Sequence, residues 1–199
     1  SATVLAGLTV QNGHGGLVGS GTHALIEHNI IRENSSSDVG GLVDCDGTIR
    51  NNWILKNGAD HGGGLKACDG LIDNNIIAGN TADALCPTSS RWHPVQPCGR
   101  GAGLLGCNGV IRNNTLVRNR SNSTAHAFSN CRGVILNCIV WDHPDPRYSV
   151  QIQESTTPTY SCFPIEPMDD IGNIVADPLF VDPWGPDGRP ATIDDDYRL

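Results

Sequence analysis

The stretch ADHGGGLKACDGLIDNNIIAGN, residues 59–80, decides the fold, because its parts recur in phase along the chain. Its second half, IDNNIIAGN (72–80), aligns with IEHNIIREN (26–34), IRNNWILKN (49–57), IRNNTLVRN (111–119) and ILNCIVWDH (135–143). The leading isoleucines at 26, 49 and 72 are 23 residues apart, and the next two follow after 39 and 24. The first half, GGGLKACDG (62–70), matches GGLVDCDG (40–47), AGLLGCNG (102–109) and AFSNCRG (127–133), and VLAGLTVQNG (4–13) is a degenerate first copy. Each unit holds two short strand-like pieces between Gly/Asn/Asp turns, too short for a helix pair. The pattern predicts an all-β solenoid of about five to six coils, with an insertion over 81–101.

In such a coil, equivalent residues of successive turns stack about 4.8 Å apart, so each aligned column is a physical stack. Ile26, Ile49, Ile72, Ile111 and Ile135 form one core column, and Ile31, Ile54, Ile77, Leu116 and Val140 a second. Two asparagine columns, Asn29/Asn52/Asn75/Asn114 and Asn34/Asn57/Asn80/Asn119, place stacked amides at bends. Beside the first core column, Glu27, Arg50, Asp73 and Arg112 alternate in sign, a pattern that favours register on an exposed face. Residues 1–140 read as coils and 141–199 as a Pro/Asp-rich capping excursion and tail of the same domain.

A chain of 199 residues with a formal charge of −8 disfavours a nucleic-acid backbone or an anionic membrane as partner, since either asks for a basic face. No apolar run reaches the roughly 20 residues that span a bilayer. Eight cysteines suggest an oxidising compartment, secreted or at the cell surface. Cys86 and Cys98 bracket CPTSSRWHPVQPC in the insertion, where a disulfide would close the loop. Cys45, Cys68, Cys107 and Cys131 occupy one column; the pairs Cys45–Cys68 and Cys107–Cys131, and a ladder of free thiols, both fit it.

The repeat units resemble the right-handed parallel β-helix proteins of secreted bacterial type, related to the pectate-lyase-like superfamily. The NNxI and GGGL…CDG units carry that resemblance through residues 4–140, and the tail GNIVADPLFVDPWGPDGRPATIDDDYRL is similar to the segment that closes many surface-exposed members. Right-handedness is an expectation from this resemblance and from the general crossover rule. The resemblance also implies pairing of Cys138 with Cys162. It says little about function, because one fold carries many.

The insertion interrupts an otherwise regular scaffold, which makes it the expected binding face. It offers Arg91, Trp92 and His93, and Trp is a residue type that stacks on sugar rings. Aligning coils on Leu17, Leu42, Leu65, Leu104 and Phe128 sets Gly13, Asp38, His61, Arg100 and Thr124 in one upstream column, with His126 at its far side. With Asp60 and Lys66 of the opening stretch, these form a polar stripe beside the loop.

Three functions fit this stripe: a polysaccharide-binding module, the leading expectation; a lyase or hydrolase acting on polysaccharide; and a structural or adhesin segment whose open solenoid ends associate between copies. Lyases of the resembled superfamily use a basic residue as proton acceptor, which nominates His61, Lys66, Arg100 and His126. A calcium-dependent lyase would want clustered carboxylates, and Asp44, Asp46 and Asp69 are few, the last two in Asp-Gly turns. In the tail, Asp182, Asp187, Asp194, Asp195 and Asp196 suit either a structural Ca²⁺ or a solvated acidic segment.

Overall fold

A computed structural model describes residues 3–88, 95–141, 151–164 and 171–199, and every regular element among them is a β-strand. One turn of the coil runs through Leu65–Lys66, Leu71–Asp73, Ile76–Ala78 and Thr81–Ala82, each paired in parallel with its counterparts one turn away. Stacking these turns gives three long parallel sheets of six, six and eight strands and a fourth of three short strands. The aligned columns are the sheet registers: Ile72 faces Ile49 and Ile111, and Ile77 faces Ile54 and Leu116. These residues point into the coil and are fully buried. Burying each such side chain contributes about 1.5–3 kcal/mol.

The corners follow one rule, in which a residue of positive φ precedes a buried polar rung. His28, Asn51, Asn74 and Asn113 take φ of 54°, 55°, 54° and 56°, just before Asn29, Asn52, Asn75 and Asn114. Asn52 Nδ2 donates to the Ile26 carbonyl at 2.9 Å and to Asn75 Oδ1 at 3.0 Å, while its own Oδ1 accepts from the Asn29 amide N at 2.9 Å. The second column repeats this: Asn57 Nδ2 donates to Ile31 O and Asn80 Oδ1. Thus the asparagines satisfy buried backbone groups that a bend removes from the sheet ladders.

The Asp-Gly corner works differently. A Cβ on Gly70 would lie 1.9 Å from the Gly47 carbonyl oxygen, so the turns approach too closely for any side chain. Asp46 Oδ1 accepts the Asp69 amide at 3.0 Å, Asp69 Oδ1 the Asn108 amide at 2.8 Å, and Asn108 Oδ1 the Arg132 amide at 3.0 Å. Asp46 and Asp69 are therefore corner braces. On the exposed face Arg50 pairs with Glu27 at 2.7 Å and Arg112 with Asp73 at 3.1 Å. Burial alone would raise the Asp73 carboxyl, but hydrogen bonds from Arg112 and Asn113 outweigh it and hold the group below the usual range.

The cysteines divide. Cys86 and Cys98 are joined with Cα atoms 5.8 Å apart, as the loop predicts. Cys45, Cys68, Cys107, Cys131, Cys138 and Cys162 are buried free thiols. Stacking at the inter-strand spacing of about 4.8 Å does not by itself draw two Cβ atoms to the roughly 3.5–4.5 Å that a disulfide uses, and none of the six is bonded. Each thiol of the four-residue column instead contacts the carbonyl oxygen two residues earlier, as Cys45 does with Val43 and Cys131 with Ser129. Burial pushes the Cys107 thiol up.

The implied Cys138–Cys162 bond is corrected too. Cys138 continues the first asparagine column, its amide donating to Ser161 Oγ at 3.0 Å, whereas Cys162 pairs in register with Ile139 and its Sγ lies 3.1 Å from the Ala176 oxygen. The two residues belong to different columns. Burial pushes the Cys138 thiol up to about 12.

The tail departs from a simple end cap. Ile174–Val175 stacks on Cys162–Phe163 as one more strand of the eight-stranded sheet. Beyond it the chain lies along the outside of that sheet, where Phe180, Ala191 and Tyr197 pack on Leu55, Ala78 and Val117. Those three occupy the same outward position of successive strands, where Leu55, Ala78 and Val117 pair in register. An apolar stripe there needs a cover, and the tail supplies it. The Phe180 and Tyr197 rings meet edge to face with centroids 5.3 Å apart, and the Arg118 guanidinium sits 3.8 Å from the centre of the Trp184 ring.

Candidate functional site

The insertion leaves the coil as an antiparallel hairpin, Leu85–Pro87 against Val95–Pro97, closed by the Cys86–Cys98 bond. Its base and the coil wall enclose a cleft of about 340 Å³ lined by His61, Lys66, Arg100, Leu105 and the two disulfide cysteines. Two tight turns set the cationic residues there. Gly62 and Gly101 take φ of 72° and 62°, and a Cβ on either would fall within 3 Å of the Cβ of Lys66 or Leu105 respectively. The Gly62 amide donates to the Arg100 carbonyl at 3.0 Å, which stacks the His61 turn directly on the Arg100 turn. Arg100 in turn bridges to Thr124. The predicted upstream column is therefore a real stripe along His61, Arg100 and Thr124.

The other nominated residues fall at varied distances from this cleft. Lys66 Nζ donates to the Asp38 carbonyl oxygen at 3.4 Å, so Asp38 meets the cleft through its backbone. Asp60 is exposed; its amide donates to Ser37 O and its carbonyl accepts from Ala84 N, at the root of the hairpin. His126 is corrected: it is 1% exposed, and its Nδ1 accepts the Ser121 amide at 3.0 Å. It braces an internal turn and has no surface from which to move a substrate proton. Arg91, Trp92 and His93 lie outside the described residues.

A larger groove went unread in the sequence. It runs between the tail and the coil, about 600 Å³ in volume, with Trp53, Ile76 and Thr115 on its floor, Asn51, Asn74 and Asn113 along one edge, and Asp194–Arg198 as the opposite wall. Trp53, Ile76 and Thr115 are register partners on adjacent strands. In the wall, Arg198 Nε and Asp196 Oδ1 are 2.8 Å apart, and hydrogen bonds from Arg198 hold the Asp196 carboxyl down to about 2. Asp195 is buried and accepts from Tyr197 Oη at 2.7 Å; burial pushes that phenol up.

The comparisons with known proteins bear on the fold. The family model described as a right-handed beta helix region matches residues 1–162. The chain belongs to the right-handed β-helix family. No curated protein and no solved structure matches it.

In this β-helix protein four of the five aspartates nominated for calcium have carboxylates engaged in other contacts. Asp187 Oδ1 accepts the Arg189 amide at 2.7 Å, Asp194 Oδ2 the Asp187 amide at 3.4 Å, and Asp195 accepts from both Thr192 N and Thr192 Oγ1 at 3.1 Å. Asp196 holds Arg198, and Asp182 meets Asp196 main chain to main chain. Among the described residues no three His, Cys, Asp or Glu side chains converge to hold a metal ion. The five aspartates do not fit a Ca²⁺ site, and their density reflects turn bracing in a tail that must fold back on itself.

Proposed function

We propose that this β-helix is a polysaccharide-binding module whose cleft beside the hairpin takes an anionic, uronate-bearing glycan. The observation that carries this reading is the convergence of Lys66, Arg100 and His61 at the base of a disulfide-closed loop on an otherwise regular coil. Two basic side chains in one concave site, on a chain of net charge −8, are a local inversion of sign that favours carboxylate-bearing sugars. Lys66 supplies a point charge and Arg100 a planar fork suited to two-point contact with a carboxylate. The Cys86–Cys98 bond supports an oxidising location, secreted or at the cell surface.

A lyase reading is the second, favoured by basic side chains in the same cleft as the cationic carboxylate partner. In β-elimination a basic group removes the proton next to the uronate carboxyl, and a nearby cation stabilises the charge that develops. Titration of the protein with oligogalacturonates tests both readings. Saturable binding that weakens as salt is raised, without ultraviolet-absorbing unsaturated products, is the expected outcome. Unsaturated products would establish the lyase, and neither binding nor product would remove both.

A further inference from the structure

The tail groove carries chemistry distinct from the cleft, and nothing in the proposed function uses it. Its floor is an indole, an isoleucine and a threonine on three adjacent strands, so half-buried apolar surface repeats about every 4.8 Å along the axis. Its edge is a row of asparagine amides held in fixed positions by positive-φ turns. Asn74 Nδ2 donates to Asn51 Oδ1 at 2.6 Å, and Asn113 Nδ2 to Asp73 Oδ1 at 2.8 Å. That leaves the Asn74 and Asn113 amide oxygens and Asn51 Nδ2 without a hydrogen bond to the described residues. The facing wall presents the Asp196–Arg198 pair.

This arrangement answers the chemistry of a neutral sugar. A pyranose ring has a C–H face that packs on an indole and a rim of hydroxyls that both donate and accept. Fixed amide and carboxylate oxygens take hydroxyl protons in pairs, while amide and guanidinium N–H groups donate to hydroxyl oxygens. Arg198 is already neutralised by Asp196, and Asp194 adds a negative charge, so the groove repels the uronates that the cleft would attract. The tail is packed in place by Phe180, Ala191 and Tyr197, which makes the groove a preformed site.

We propose that the groove between the tail and the coil is a second, independent site for a neutral oligosaccharide, with Trp53 as the stacking platform and Asn51, Asn74, Asn113, Asp196 and Arg198 as the hydroxyl partners. The two sites together would let one rigid coil hold an acidic and a neutral glycan, or two segments of a mixed polymer.

Calorimetric titration of the full chain with hexaoses of β-1,4-glucan, β-1,3-glucan, α-1,4-glucan and β-1,4-mannan, alongside oligogalacturonate, tests it. At least one neutral hexaose binds, and Trp53→Ala weakens that binding tenfold or more while Trp53→Tyr retains most of it. Because Trp53 also packs near the tail, Asn74→Gly and Asn113→Gly provide a second arm. Glycine keeps the positive-φ turn and deletes the side-chain amide together with its exposed hydrogen bond to Asn51 or Asp73, so the expected result is a several-fold loss of affinity in a folded protein whose melting temperature falls only slightly. Lys66→Ala leaves neutral binding intact. The proposal is overturned if no neutral hexaose binds, if the Trp53 and asparagine variants bind as well as the parent, or if neutral binding falls with Lys66→Ala. The parent's binding of oligogalacturonate is read independently of its binding of the neutral hexaoses, so failure at the groove is distinguishable from failure at the cleft.

Discussion

At the scale of single residues, Asn52 shows what holds a corner. It serves four partners at once: the Ile26 carbonyl, the Asn75 side chain, and both the amide and the side chain of Asn29. Asn52→Ala strands a buried N–H and a buried C=O, each costing about 1–3 kcal/mol. The expected destabilisation is about 3 kcal/mol, a fall of about 6–12 °C in Tm for a chain of this length. A fall of under about 2 °C would show that water replaces the rung without cost. The asparagines were legible because a buried amide must recur wherever a coil bends. The thiols were not, since a stacked column allows disulfide and free thiol alike. Titration with a thiol reagent under denaturing, non-reducing conditions is expected to find six reactive thiols, against none that react readily in the folded protein. Four or fewer would restore a second disulfide.

At the scale of elements, the tail is held on the coil by a hydrophobic strip, and the Asp196–Arg198 pair braces the tail's own end. The Asp196 carboxyl lies near 2 when folded and would lie near the ordinary value of about 3.9 when unfolded. A depressed folded value adds stability above the unfolded pKa, and that contribution is lost as pH falls through the folded one. Parent and Asp196→Asn proteins should therefore differ in Tm above about pH 4 and converge near pH 2. A constant gap across that range would deny the linkage. The docking of the tail was foreshadowed in Leu55, Ala78 and Val117, outward positions where Arg32 in an earlier coil is polar. An apolar outward position does not say which segment covers it, so the groove that the docked tail creates was not legible in the sequence. Its aspartates looked like ligands because sequence density does not reveal that the side chains of Asp187, Asp194, Asp195 and Asp196 brace the tail itself.

At the scale of the whole molecule, a repeating coil supplies a rigid frame, and function collects where the repeat is broken. The period, the core columns and the place of the insertion followed from spacing alone. Of the residues nominated from sequence, His61, Lys66 and Arg100 line the cleft, whereas His126 is buried, and its neighbours in sequence gave no sign that its turn points inward. Lys66 and Arg100 come from different coils, 34 positions apart by number (100 − 66), and meet only because the turns stack. They are exposed or half-exposed and carry no core contact, so their removal tests recognition with little effect on folding. The most direct measurement is the affinity of the Lys66→Ala/Arg100→Ala double variant for oligogalacturonate, compared with the parent at low salt. Each charge-assisted contact contributes about 1.5–3 kcal/mol, so the expected result is a loss of a hundredfold or more with Tm unchanged. Undiminished binding by a folded double variant would contradict the assignment of the cleft.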